Sequence, residues 1–510
     1  MKTLLELVRI VTKNKIRHIE VLGKASDSNG KLMGLYDALC AGKVKTDEEA
    51  LIYLYGTRSQ PSSYRNLKSG LKRRLLNSLL FINLADPSLN EQEKAYYTCQ
   101  KDWAAVRVLL RMGARKLAIR LAESVLKQAL HFDLTEIIVQ ATQVLRFHYG
   151  TRTGEVKKMQ QYNALHKRYR EAWQFESLAE EYYILLIANY IKERSVKTEV
   201  SRQALEYYNG LENAMVEFKT YRLLFLGNLI RIIAYRSVND YNNTVESCER
   251  AIRAFEEKAY EVKTPIYTFL HQQILAHIQL KQFEEGRRTA DKAAGLIPAG
   301  SVNWFVNMEM LLILALHTRQ YQRACEVYQE AISHPRFSHL RDVDKEQWRI
   351  NGAYIHFLLE AGKATALKDK SRMRKFRLGR FLNDVPVFSR DKQGMNVAIL
   401  IIQILFLIVK KRYNEAIDRI DAVNKYRMRY LVKDKALKRS NCFVKMLLQI
   451  PLCNFHKAAV LRKSEKYYEQ LTAVPLEVAN QTHGIEVIPY EDLWELVLES
   501  LNTKFYKRRR

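Results

Sequence analysis

In the stretch RQYQRACEVYQEAI (319–332), Tyr321, Ala324, Tyr328 and Ala331 stand at offsets 0, 3, 7 and 10. Those offsets share one side of a 3.6-residue helix. The series recurs as Tyr241, Thr244, Cys248, Ala251, then as Phe283, Gly286, Ala290, Ala293, and again as Tyr413, Ala416, Ile420, Val423. Each opening ring follows a short polar step (VNDY, LKQF, TRQY, KKRY), and an apolar helical run precedes each step. Small residues let a neighbouring helix approach closely, and the ring plugs the corner between two antiparallel helices. Each patterned helix is therefore expected to be the second of a hairpin, packed on its own first helix and on the next hairpin.

A weaker copy places Ala118, Ala122 and Val125 at the same intervals, with Arg115 in the ring position and NEQEKAYYTCQKDWAAVRVLLRMG as its first helix. Further helices are expected at about 133–149, 155–172, 173–193 and 201–218. These segments resemble tetratricopeptide repeats, in which a ring opens the second helix and alanines follow at this spacing. The rings Tyr241, Phe283 and Tyr321 lie 42 and 38 residues apart, against a family period of about 34. Pro298 closes its repeat where the family favours proline. The family's small residue in the first helix is replaced by Ile232, Ile274, Leu312 and Ile404. The chain thus looks like a divergent relative with longer hairpins. The resemblance implies an all-α, right-handed superhelix of antiparallel helix hairpins, a TPR-like solenoid whose concave face is built from first helices.

The ends depart from the repeat. Thr46-Asp-Glu-Glu49 is a capping box, and its helix is expected to end at Gly56. A turn through Pro61 leads to a helix with the apolar stripe Leu67, Leu71, Leu75, Leu79. Arg65, Lys68, Lys72 and Arg73 occupy its other sides. Residues 1–90 are expected to form an N-terminal helical domain, either a solenoid cap or a helix-turn-helix reader of DNA. Hairpin repeats follow over 91–362, a basic insertion or loop over 363–392, and a C-terminal repeat and cap over 393–510.

Charge adds a partner class. The 510 residues carry a formal +28, a field that attracts phosphate backbones, acidic proteins or anionic lipid. The excess is uneven: residues 1–90 hold 15 basic and 8 acidic residues, and 363–392 hold 10 and 3, whereas 201–260 balance at 8 and 8. Lys425, Arg427 and Arg429 alternate with Tyr426, Met428 and Tyr430, a mixture that grips phosphates and stacks on unpaired bases. In a helix, however, the two tyrosines would pack inward.

No HExxH, Walker loop, GxSxG or GxGxxG motif occurs, and the six cysteines are scattered, which suits buried thiols in a reducing compartment. Val397–Val409 is apolar but shorter than the roughly 20 residues of a membrane span, and Gln403 interrupts it. We therefore expect a non-enzymatic, cytoplasmic interaction scaffold with no cofactor and no metal, binding a protein or peptide partner, for which an acidic one would suit the charge. The alternative is a nucleic-acid-associated regulator. The resemblance places Trp103, Arg107, Arg111, His271, Gln279, Glu309 and His317 on the partner-binding face. Arg65, Lys68, Lys72, Arg73, Lys425, Arg427 and Arg429 are the candidate nucleic-acid contacts. Ile401, Leu405 and Ile408 fall on the same inner face in the last repeat, where the chain's own C-terminal helices are expected to cover them.

Overall fold

The computed structural model describes residues 1, 4–5, 7–8, 27–57, 62–79, 90–192, 197–365, 379, 381, 395–432, 437–474, 476, 486–504 and 506. The chain is all-α, and no strand occurs among the described residues. It divides into two compact units, residues 1–174 with 259–261, and residues 175–258 with 262–510.

The first unit holds two separate cores. The helices α1 (Asp27–Cys40), α2 (Asp47–Tyr55) and α3 (Ser62–Ser78) enclose Leu35, Leu51, Tyr64, Leu71 and Leu75, with Leu67 and Leu79 packed at the edge. The Thr46–Glu49 capping box forms reciprocally, and Gly56 ends α2 at φ 65°. The second core lies among α4 (Glu91–Arg111), α5 (Arg115–His131) and α6 (Thr135–His148). A reciprocal box between Asn90 and Glu93 starts α4. The expected boundary at residue 90 adjoins residues 80–89, outside the described residues.

Helix α7 (Val156–Lys192) runs unbroken through 37 residues, where two helices were expected to meet at Trp173. No Gly or Pro interrupts it, and straight-chain helix formers dominate. It is followed by α8 (Lys197–Phe218), α9 (Tyr221–Ser237), α10 (Tyr241–Glu256), α11 (Lys263–Gln279), α12 (Phe283–Leu296), α13 (Val302–His317), α14 (Tyr321–Ser333) and α15 (Asp342–Glu360). After the basic stretch, of which only residues 363–365, 379 and 381 are described, come α16 (Met395–Val409), α17 (Tyr413–Tyr426), α18 (Lys438–Leu452), α19 (Lys457–Thr472) and α20 (Tyr490–Ser500).

In the second unit each helix packs on its neighbour in sequence from α8 to α14, and first helices also meet directly, α11 on α13 and α15 on α16. This consecutive stacking is solenoid-like. The small-residue face explains it: Thr244, Cys248, Ala251, Ala290, Ala293, Ala324, Ala331 and Ala416 are all buried. At Gly286 an added Cβ would stand 2.6 Å from Leu314 Cδ2 and 3.1 Å from His277 Cβ. The polar steps share one geometry. Asn239, Lys281, Arg319 and Lys411 adopt φ of 60, 57, 61 and 55°, two residues before the ring in each case. The amide after each donates back to the preceding helix: Asp240 to Tyr235 O at 3.0 Å, Gln282 to His277 O at 3.0 Å, Gln320 to Ala315 O and Arg412 to Leu407 O at 2.8 Å. These are Schellman closures, and they satisfy carbonyls that the helix end would otherwise orphan.

Candidate interaction surface

The first helices of the second unit present a mixed face. His271 on α11 is half-buried beside Tyr267, its pKa lowered by burial and by Arg236. Gln279, also half-buried, keeps a side-chain carbonyl oxygen without a hydrogen-bond partner. Glu309 on α13 accepts a long 3.5 Å hydrogen bond from Asn351 Nδ2, and burial raises its carboxyl pKa to about 7. His317, at the end of α13, is fully buried, with Nε2 3.1 Å from the carbonyl oxygen of Glu486.

That contact belongs to a C-terminal segment that crosses the turns of successive hairpins. Arg439, buried on α18, donates to Glu486 at 2.6 and 3.1 Å and to Glu491 at 2.6 Å. Arg319, at the left-handed position of the α13–α14 turn, pairs with Asp492 at 2.5 Å and Glu495 at 2.8 Å. Lys363, after α15, pairs with Glu499 at 2.6 Å. Lys411, in the α16–α17 turn, donates to Ser500 O at 2.5 Å and to Asn502 Oδ1 at 3.2 Å. Tyr506 donates its amide to Asn454 O at 2.9 Å in the α18–α19 turn. Helix α20 packs on α16, and Ile401, Leu405 and Ile408 are buried. The chain's own end thus covers the last first-helix face. The apolar character of Ile401, Leu405 and Ile408 anticipates a cover from the C-terminal helices, and the charge match between YEDLWELVLES and the basic turns is the signal for which segment supplies it.

In the first unit Trp103 does not face outward as the repeat register implies. It is buried in the α4–α6 core, where its indole N–H donates to Gln140 Oε1 at 2.5 Å. The satisfied N–H lets the ring serve as core. Arg107 and Arg111 are exposed and have no partner among the described residues.

The basic residues singled out at the ends separate into tied and exposed ones. Lys68 Nζ lies 2.7 Å from Asp47 Oδ1, the same oxygen that accepts from Tyr64 OH at 2.8 Å. This holds the Lys68 pKa above its ordinary value despite partial burial. Arg65, Lys72 and Arg73 remain exposed on α3. Lys425 and Arg429 are exposed, while half-buried Arg427 donates to Asn424 and Asn441 at 3.1 and 3.2 Å. The side chain of Tyr430 lies outside the described residues.

Among the described residues no group of three or more His, Cys, Asp or Glu could hold a metal ion. Five of the six cysteines are buried, and burial pushes the thiols of Cys99 up to about 11 and of Cys248 and Cys325 up to about 12, keeping them protonated. An open depression of about 410 Å³ between α16 and α17 is lined by Gln403, Leu407, Arg412, Glu415, Asp418 and Arg419. Arg412 and Glu415 are paired across 2.6 Å there. No described helix is long and apolar enough to cross a membrane. Set against protein-family models, curated proteins and solved structures, the chain matches none of them.

Proposed function

We propose that this chain is a non-enzymatic, cytoplasmic interaction scaffold, a divergent TPR-like solenoid that holds a protein partner. The observation that carries the reading is the group of large apolar side chains left exposed at the hairpin turns of the first unit, Met112 foremost at 78% exposure. Clustered exposed apolar groups ringed by polar ones mark protein contact sites. The test is recovery of bound protein by the purified chain, with nucleic acid measured in the same sample and binding then reproduced from pure components. A partner retained after nuclease treatment is expected. Recovery of nucleic acid alone would sink the reading.

A second reading, nucleic-acid-associated regulation, is favoured by one observation: Arg65, Lys72 and Arg73 are exposed on one helix without an ion pair among the described residues. Binding to generic DNA or RNA across a salt series tests it, because phosphate contacts released by salt give a steep slope of log affinity. No binding at low salt removes it.

A further inference from the structure

Two turns in the first unit are apolar and cationic together. Val108, Met112 and Leu117 surround the α4–α5 turn, and Phe147 and Val156 surround the π-helical turn Tyr149–Thr153 after α6; these five are between 53 and 78% exposed. Helix α4 packs on α6, and Arg115 lies near enough to His148 to lower its pKa, second only to burial. The two turns therefore share one end of the unit. Arg107, Arg111, Lys116 and Arg120 border this surface, all exposed, and none makes an ion pair or hydrogen bond among the described residues. An occupant must bring both apolar contact and negative charge.

The second unit displays an occupant of that kind. In YEDLWELVLES (490–500) Leu493, Trp494, Leu496 and Val497 are buried, while Asp492, Glu495 and Glu499 meet Arg319 and Lys363 at the turns. Hairpin turns of this chain already hold an acidic amphipathic helix in cis. We propose that the turns of the first unit dock an acidic amphipathic helix of a partner protein by the same chemistry, an inference that rests on the scaffold reading. Neighbouring first helices lie about 8–10 Å apart and a helix rises about 1.5 Å per residue. A helix crossing two turns therefore needs carboxylates roughly 5–7 residues apart. Asp492 and Glu499 have that spacing, at seven. A phosphate backbone would satisfy the cations but leave the five apolar side chains without partners.

The probe is a labelled peptide of residues 489–501, titrated by fluorescence anisotropy into the full chain. Its counterpart carries Gln or Asn in place of Glu491, Asp492, Glu495 and Glu499. Saturable binding is expected, weakened at least tenfold by R111E/K116E, by Met112→Asp and in the neutral peptide, and unchanged within twofold by R319E. Arg111, Lys116 and Met112 are exposed, so circular dichroism and melting of these variants should match the parent. Binding that survives R111E/K116E, or that R319E alone removes, places the peptide elsewhere and overturns the inference. No binding by the parent chain overturns it too, while leaving the scaffold reading to the partner recovery. Phosphatidylserine vesicles and a single-stranded RNA run in parallel; if either binds through Arg111 and Lys116 while the peptide is inert, the surface reads lipid or RNA and the proposal falls.

Discussion

Arg439 and Glu486 meet with both side chains wholly out of solvent, joined by hydrogen bonds of 2.6 and 3.1 Å. Arg439 also donates to the carbonyl oxygens of Leu471 and Val474 at 3.2 and 2.6 Å, and Glu486 accepts the Tyr490 amide at 2.8 Å. The pair pins the start of the C-terminal segment. Arg439→Met leaves a buried carboxylate uncompensated and should cost about 3–5 kcal/mol. The double variant R439M/E486L should recover most of that loss, because the desolvation of both charges disappears together. Urea denaturation of the full chain checks this; a double variant no more stable than the single would contradict it.

Glu309 makes stability depend on pH. Its pKa is raised by burial to about 7 in the fold, against about 4.3 in an unfolded chain. The fold therefore binds the proton more tightly, and the stabilisation is complete below pH 4 and lost as pH rises through 7. Between pH 5 and 8 this group should remove on the order of 1–3 kcal/mol. Glu309→Gln should flatten that part of the profile, measured as denaturation midpoints across the range. An unchanged slope would show that Glu309 does not titrate there.

Gly286 stands where α12 meets α11 and α13. Gly286→Ala puts a methyl 2.6 Å from Leu314 Cδ2 and 3.1 Å from His277 Cβ, and overpacking of this kind costs about 1–3 kcal/mol. Reducing Leu314 to Ala in the same chain should relieve the clash, so the two losses should add to less than their sum. Strict additivity in a double-mutant cycle would count against the close approach.

Lys68 and its neighbours on α3 should behave differently. Lys68→Ala releases Asp47 and Tyr64 from a partly buried cluster and should lower stability by roughly 0.5–1 kcal/mol. Changing Arg65, Lys72 and Arg73 to Glu should leave the melting temperature nearly unchanged, since all three are exposed. If nucleic acid binds the chain through α3, the triple variant should reduce the slope of log affinity against log salt, and Lys68→Ala should change it less. Equal effects would show that Lys68 is not withheld by Asp47.

Much of the hairpin architecture was legible because its causes are local. The ring and small-residue offsets span ten residues, and the buried Ala290, Ala324 and Ala416 lie where the helical period puts them. The polar steps announce turns, though not that Lys281, Arg319 and Lys411 would take the left-handed position, which three long cationic side chains occupy only because two backbone hydrogen bonds hold each turn. The break expected at Trp173 is absent since no Gly or Pro interrupts the backbone between Val156 and Lys192. Trp103 misled because the repeat register assigns a face, whereas Gln140, 37 residues away, gives its N–H a partner inside the unit.

The sequence alone determined that the chain is helical, that small faces pair successive helices, and where the turns before Tyr241, Phe283, Tyr321 and Tyr413 fall, because each follows from side chains within three turns of one another. Only the tertiary structure decided which first-helix faces stay open. His317 is sealed by a carbonyl 169 residues further on, and Arg319 finds Asp492 across 173. Contacts at that separation depend on where the chain returns after many helices, and the periodicity of a single helix carries no record of that path.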